Sequence, residues 1–509
     1  MSYFLGVDIG TSSTKTILIT ERGKILGEAS SSYPLRHPHP LWSEQDPDHW
    51  WRATVKTIRE VVSKTGVNAS QIKAIGLSGQ MHGSVFLDKH DQVIRPALLW
   101  NDQRTVSECE EIESKAGGRS QLIRMVANPA LTGFTAPKIL WLRNNEPRNY
   151  ERLRKVLLPK DDVRRRLTGC YATDVSDASG MLLLDVGRRK WSTKLMGKLD
   201  LDVDLFGEVF ESEDVTGTLT KKSAGLLGLS TECLVVGGAG DCAANALGTG
   251  VVRSGIVSTS IGTSGVTFVH SDEMQFDKQG RLHTFCHAVR GKWHMMGVNL
   301  CAGGSLQWFA DNLATAGKSN IFQTMNRAAA KVNVGSDGLF FLPYLAGERT
   351  PHCDPQARGC FIGLTMSHTQ GHMVRSIMEG VMYSLRDSLE IFEDMDVPVR
   401  QIRTSGGGAK SKLWREMQAN VLGKKVVTIN TEQGPALGVA LLAAVGAGAY
   451  SNIQQACKAV IKETSVTPVQ RKLKRDYDKN FPIYQQLYQS LKQDFGDIAD
   501  LTATTGVSK

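Results

Sequence analysis

Nine cysteines are present, yet no two form a CxxC pair. Their scatter fits reduced thiols in a cytoplasmic protein rather than a disulfide framework. No basic stretch followed by an apolar core opens the chain, since Tyr3–Ile9 already reads as a strand containing Asp8; a secretory signal is not expected. The longest apolar run, Gly434 to Tyr450, is slightly short for a membrane span and very rich in glycine and alanine. It reads as a buried helix lying close to its neighbours. No GxGxxG follows a predicted strand, so a dinucleotide fingerprint is missing. AGKS at Ala316–Ser319 resembles the end of a P-loop, but the glycine required five residues before Gly317 is Asn312, and the flanks read as helix. Proline is also sparse, with sixteen against fifty glycines, which suggests many tight strand-to-helix turns.

The net charge of +9 has no matching recognition element. Lysines and arginines are dispersed, the densest run is Arg471–Arg475, and no aromatic-basic platform accompanies it. A solvated surface is expected, with no nucleic-acid partner and no membrane. A chain of 509 residues is too long for one core and should form two or more domains. Its 41% hydrophobic and 22% charged residues are those of an ordinary globular protein.

The stretch around which the rest is organised is VVGGAGDCAANALGTG, Val235 to Gly250. It reads as a short buried strand, a glycine turn and a helix of small residues, with Asp241 where strand gives way to helix. Gly237, Gly238 and Gly240 allow close backbone approach there. A carboxylate at such a turn faces the crevice where ligands collect in open α/β folds, or it merely caps the helix Cys242–Leu247.

Two halves open alike. FLGVDIGTSSTKTILITERG, Phe4 to Gly23, is echoed by SGIVSTSIGTSGVTFVHSDE, Ser254 to Glu273. Each reads as strand, I-G-T-S turn, strand, which suggests a duplicated domain. Ser260 stands in the second copy where Asp8 stands in the first. The turns could cradle a phosphate through backbone N–H groups and hydroxyls, although hairpins use the same residues for conformation alone. Between them, Asp46-Pro47 starts a helix to about Lys64. A strand Lys73–Ser78 leads into GQMHG, Gly79 to Gly83, where His82 is a ligand donor or a solvated loop residue. LLWNDQR, Leu98 to Arg104, gathers hydrogen-bonding groups suited to a polyol or sugar; the plainer alternative is an Asp102–Arg104 surface pair. Later come CAGGSLQWF from Cys301, FFLPYLAGERTPH from Phe340, a long helix Gly371–Phe392, and the strand Gln401–Ser405 running into Gly406–Ala409. Such a glycine triplet admits a base or a phosphate against backbone. Alternating strands and helices argue α/β architecture.

Two longer segments, GFTAPKILWLRNN (Gly133–Asn145) and GCFIGLTMSHTQGHMVRSIME (Gly359–Glu379), resemble the two signatures of the FGGY carbohydrate kinases, within the sugar kinase–heat-shock protein–actin superfamily. The resemblance spans Phe4 to about Gly448. WSEQDP (Trp42–Pro47), GQMHG, LLWNDQR and PYLAGERTPH are most similar to the xylulokinase branch. It implies an α/β fold of two actin-like (ribonuclease H-like) domains with a ligand cleft between them, 1–248 carrying the sugar side and catalytic base and 249–509 the nucleotide side. It implies ATP-dependent phosphorylation of a ketopentose, D-xylulose first, another sugar or polyol such as ribulose next. A chaperone-like nucleotide switch shares the hairpins but lacks GQMHG and LLWNDQR.

The same resemblance makes Asp241 the base and places Asp8 in the Mg²⁺ shell. Gly10, Thr11, Ser12, Ser13, Gly262, Thr263 and Ser264 would face the phosphates. Gly303, Gln307, Gly407, Gly408 and Ala409 would line the nucleotide. Met81 and His82, with Asn101, Asp102, Arg104 and Cys242, would meet the sugar. Many relatives carry an amide after the base, and a thiol at Cys242 is a poorer donor. The expected partners are the sugar and ATP, and a homodimer is compatible with the reading.

Overall fold

The computed structural model describes residues 1–314 and 320–505, so the AGKS stretch at Ala316–Ser319 lies outside the described residues. The chain forms two compact units. The first takes Met1–Arg253 and recruits His270–His294 and Gln433–Lys462; the second takes Ser254–Val269, Met295–Glu432 and the chain from Glu463 on. The expected halves 1–248 and 249–509 are contiguous, whereas two later segments return to the first unit.

The first unit is built on a mixed sheet with strand order Val215–Thr218, Leu234–Val236, Ile72–Gly79, Tyr3–Ile9, Ser13–Thr20, Ile25–Ser32. Tyr3–Ile9 runs antiparallel to Ser13–Thr20 and parallel to Ile72–Gly79. Phe4, Leu5, Val7 and Ile9 are all buried, the near-continuous apolar run of a strand covered on both faces. The helix Pro47–Thr65 starts as read: the Asp46 side chain accepts from the Asp48 N–H, proline takes the first turn, and Gly66 at φ 62° ends it.

Glycine decides how the sheet is covered. The apolar run is the helix Gly434–Gly446, and its backbone rides directly on strand backbone. A Cβ at Gly6 would stand 2.0 Å from the Ala436 carbonyl oxygen, and one at Gly76 would stand 1.9 Å from that of Val439. Any side chain at either position would push the helix off. Among the described residues no helix is long and apolar enough to cross a membrane.

The second unit repeats the opening topology. Gly255–Ile261 runs antiparallel to Gly265–Ser271 and parallel to Val399–Gly406. Lys425–Ile429 and Glu463–Thr467 follow in the same sheet. In the first copy Asp8 is opposite Lys15 and Ser78; in the second Ser260 is opposite Val266 and Ser405. The duplicated topology thus carries its acid on one copy. The helix Gln370–Asp394 fills this unit's interior with Val374, Ile377, Met378 and Val381.

Candidate active site

Asp241 is the first residue of the helix Asp241–Gly248, whose N-cap is Gly240, and no side chain caps it. The carboxyl is therefore not spent on helix termination. Ala239–Gly240 pairs in parallel with Ser78 and Gly79, which brings Asp241 to the same sheet end as Asp8, the partner of Ser78 on the neighbouring strand. Burial, and then the charge of Asp241, push the Asp8 carboxyl up to about 7, with Ser78 and Lys15 partly offsetting them. Its Oδ1 is shielded from solvent and has no hydrogen-bond partner. Burial also raises Asp241, against the Cys242 thiol and N–H, which favour the anion. Cys242 is half-buried; burial and the adjoining carboxylate hold its thiol far above the ordinary range. These are two carboxyls that share a site and a charge deficit.

Beneath this turn lies a polar cluster with no solvent access. Lys160 is fully buried and pairs with Asp161 at 2.7 Å, Asp174 at 2.9 Å and Asp177 at 3.2 Å. Asp174 accepts from the Ser176 hydroxyl, and that hydroxyl accepts from the Gly240 N–H at 3.2 Å. The residue before Asp241 is tethered through Ser176 and Asp174 to a buried cation. Nothing in the sequence marked Lys160, because a lysine beside two aspartates reads as surface.

The GQMHG loop reaches the same turn. Met81 is buried, and a Cβ on Gly240 would collide with its side chain. His82 holds a left-handed φ of 69°. Its Nδ1 donates to the Gly180 carbonyl at 2.8 Å, which fixes the tautomer. A Cβ on Gly180 would stand 2.4 Å from the His82 ring, so the glycine makes room for it. Lys138 explains part of the signature Gly133–Asn145. Its Nζ donates to the carbonyls of His82 at 2.9 Å and Gly133 at 2.6 Å, and burial pushes it down to about 7.

LLWNDQR divides. Asp102 is fully buried; Arg104 and the Ser43 N–H occupy both of its oxygens. Trp42 covers the Arg104 guanidinium at 3.5 Å. The pair is neither on the surface nor open on its acidic side, and Asp102 acts as a brace. Arg104 Nη1 and Asn101 Oδ1 are buried without partners, so these two keep hydrogen-bonding capacity. Trp100, half-exposed, donates its indole N–H to the Thr11 hydroxyl at 3.0 Å.

In the second unit a cavity of about 790 Å³ is lined by Gly262, Thr263, Gly303, Gln307, Gly407 and Gly408. Ser264 and Ala409 are not in its lining: Ser264 gives its carbonyl to the Gly262 N–H, and Ala409 gives its own to Arg415. Trp308, Asp311, Phe322, Asn326 and Lys410 also line the cavity and escaped the sequence reading. Half-exposed Trp308 and Phe322 cannot be told from core aromatics by pattern. A second cavity, about 720 Å³ in the first unit, is lined by Arg165 and Arg166 among others. Both arginines pair with Asp162.

Comparison with known proteins agrees along nearly the whole chain. The FGGY family of carbohydrate kinases matches with its N-terminal domain over residues 3–248 and its C-terminal domain over residues 257–447. The xylulose kinase of Bacillus subtilis (strain 168) is 38% identical over 492 residues, covering 97% of this chain and 98% of that protein. The xylulose kinase of Escherichia coli (strain K12) is 38% identical over 489 residues, covering 96% and 99%. A crystal structure of a xyloylose kinase from Brucella ovis is similar at a TM-score of 0.91 and 34% identity, covering 96% of this chain and 99% of that one.

Proposed function

Because the chain belongs to the FGGY family of carbohydrate kinases, we propose that it transfers the terminal phosphoryl group of ATP to D-xylulose, giving D-xylulose 5-phosphate. The family and the α/β, actin-like fold make it a phosphotransferase; the sugar, the residue roles, the domain division at 248 and a cytoplasmic setting belong to the proposal. The observation that carries the chemistry is Asp241, a half-buried carboxyl of raised proton affinity that opens a helix it does not cap.

Asp241 accepts the proton of the attacking hydroxyl. Its raised affinity for that proton suits the task. Met81, His82, Asn101 and Arg104 orient the sugar, and Cys242 lies against it. The Gly10–Ser13 and Gly262–Ser264 turns present backbone N–H groups to phosphate, and the cavity of the second unit takes the base and ribose.

Among the described residues no group of three or more His, Cys, Asp or Glu side chains forms a complete metal cage. The unpartnered Asp8 oxygen beside a second carboxyl fits instead a Mg²⁺ held mainly by water and phosphate. Such an ion would neutralise charge on the phosphates. Below about pH 7 a proton competes for Asp8, because only the anion binds the cation. The apparent KM for Mg²⁺ should rise about tenfold per pH unit below 7 and level off above it. A KM independent of pH between 5.5 and 8 would remove Asp8 from the metal shell.

Gly262 gives a clean test of the nucleotide side. Its φ is not left-handed, and a Cβ there would meet nothing closer than the Ser264 carbonyl at 3.9 Å. The fold itself does not require glycine here, which supports a role for Gly262 in letting a ligand approach closely. Gly262→Val should melt like the parent and weaken ATP affinity at least about tenfold, with sugar affinity unchanged. Equal weakening of both ligands in calorimetry would reject the assignment.

The substrate is tested by a panel of ketopentoses and polyols assayed for ADP release. D-Xylulose should give the highest kcat/KM. Preference for another sugar would support the second reading, which the Cys242 thiol favours because it replaces an amide donor.

A further inference from the structure

Three residues of the first unit close a ring of hydrogen bonds, one link of it through main chain. Gln45 Nε2 donates to the Thr11 carbonyl at 2.6 Å. Gln45 Oε1 accepts from Gln80 Nε2 at 2.9 Å. Gln80 Oε1 accepts from the Thr11 hydroxyl at 3.2 Å. Two indoles complete it: Trp50 Nε1 donates to Gln45 Oε1 at 3.0 Å, and Trp100 Nε1 to the Thr11 hydroxyl, also at 3.0 Å. Gln45 and Gln80 are buried at 0% and 1% exposure. Their amides have no water to turn to if the ring opens, so breaking one bond leaves buried polar atoms unpaired.

The members come from three places in the sequence. Thr11 belongs to the turn after Tyr3–Ile9, Gln45 to the WSEQDP segment, and Gln80 to the loop carrying Met81 and His82. The backbone repeats the link, since the Gln80 N–H donates to the Ile9 carbonyl at 2.8 Å. On the functional reading above, Thr11 faces phosphate while Met81 and His82 face the sugar. The ring therefore joins a phosphate-facing turn to a sugar-facing loop with every bond satisfied. A small displacement of one edge is passed to the other, because the buried amides have few other partners; Gln45 Nε2 also donates to the Pro34 carbonyl, at 3.3 Å, which anchors it further.

We infer that Gln45 is a positioning residue whose ring with Thr11 and Gln80 couples the two substrates, so that sugar and nucleotide each tighten the binding of the other. This rests on the kinase reading for the identity of the two ligands, although the ring itself does not. Coupling between sites of this kind spans about 5–150-fold, and a value near tenfold is expected here. It must be reciprocal, which makes it measurable from either side.

The test is titration calorimetry of D-xylulose with and without a non-hydrolysable ATP analogue and Mg²⁺. It is run on the full chain, on Gln45→Met, which keeps volume but has no amide, and on Gln80→Met, which opens the ring at its other amide. The parent should bind sugar about tenfold tighter with nucleotide present. Each variant should bring that ratio below about twofold while binding either ligand alone within a few-fold of the parent. A parent ratio near one, or variants that keep the parent ratio, overturns the inference.

Hydrogen exchange on the free protein decides the ring without any ligand. Thr11→Val should speed exchange of the amides at 80–83 as well as those beside residue 11. Acceleration confined to residue 11 and its neighbours overturns the ring as a unit. A parent that binds no ketopentose fails the kinase reading alone, and the exchange result still stands or falls by itself.

Discussion

Asp241→Asn is expected to lower kcat by at least ~10²-fold, the scale of a lost general base, while sugar affinity stays within a few-fold. The amide keeps the shape and can still hydrogen-bond the hydroxyl, but it cannot take its proton. Stability should not suffer. Asp241 caps no helix, and burial already disfavours its charge. Neutralising it also removes one of the two causes that raise Asp8. The Mg²⁺ dependence of whatever activity remains should therefore shift to lower pH in the variant, a change that no helix-capping role would produce. Steady-state kinetics across pH would show both effects. A variant with near-parental kcat ends the assignment of Asp241 as base.

The second large effect is on stability. Lys160 is fully buried among three carboxylates within 3.2 Å. Lys160→Met keeps most of the stem and deletes the charge, leaving Asp161, Asp174 and Asp177 with Arg164, 3.2 Å from Asp161, as the remaining buried cation. Removing one partner of a buried pair costs about 3–5 kcal/mol, because the stranded charges cannot return to water. Burial and its aspartate neighbours already push Asp177 up, and Lys160 holds it down. Without the lysine the Asp177 carboxyl lies still further above its unfolded value, so the folded variant binds protons more tightly than the unfolded one. Its deficit against the parent should be largest near pH 8 and shrink toward pH 5. Urea titrations at the two pH values measure it. A deficit below about 1 kcal/mol at pH 8 would mean that water or another cation reaches the cluster.

The parts of this molecule that were readable from sequence are those whose reasons are local. Both I-G-T-S hairpins could be read, because a strand, a three-residue turn and a strand are contiguous. The start of the helix at Asp46-Pro47 has its donor and acceptor two residues apart. The run from Gly434 was recognisable as a close-lying helix because its glycines are themselves the reason for the close approach.

What was not readable depends on partners far along the chain. Asp102 and Arg104 look like free polar groups until Ser43 and Trp42 close over them. Gly180 is silent without the His82 ring that needs its space. Whether Asp241 caps its helix turned on one residue of register, and the backbone gave the cap to Gly240. The return of Gln433–Lys462 to the first unit was not readable, since nothing in a helix sequence names the sheet it will cover.

That return sets an order of events during synthesis. The strands Tyr3–Ile9 and Ile72–Gly79 leave the ribosome early, but the helix Gly434–Gly446 that covers them emerges only after residues 80–433 have been made. At about 5–20 residues per second the bare glycine-floored face waits for tens of seconds. During that interval the nascent first unit is an apolar surface without its cover. A chain cut short before residue 433 would leave that face without the helix that covers it.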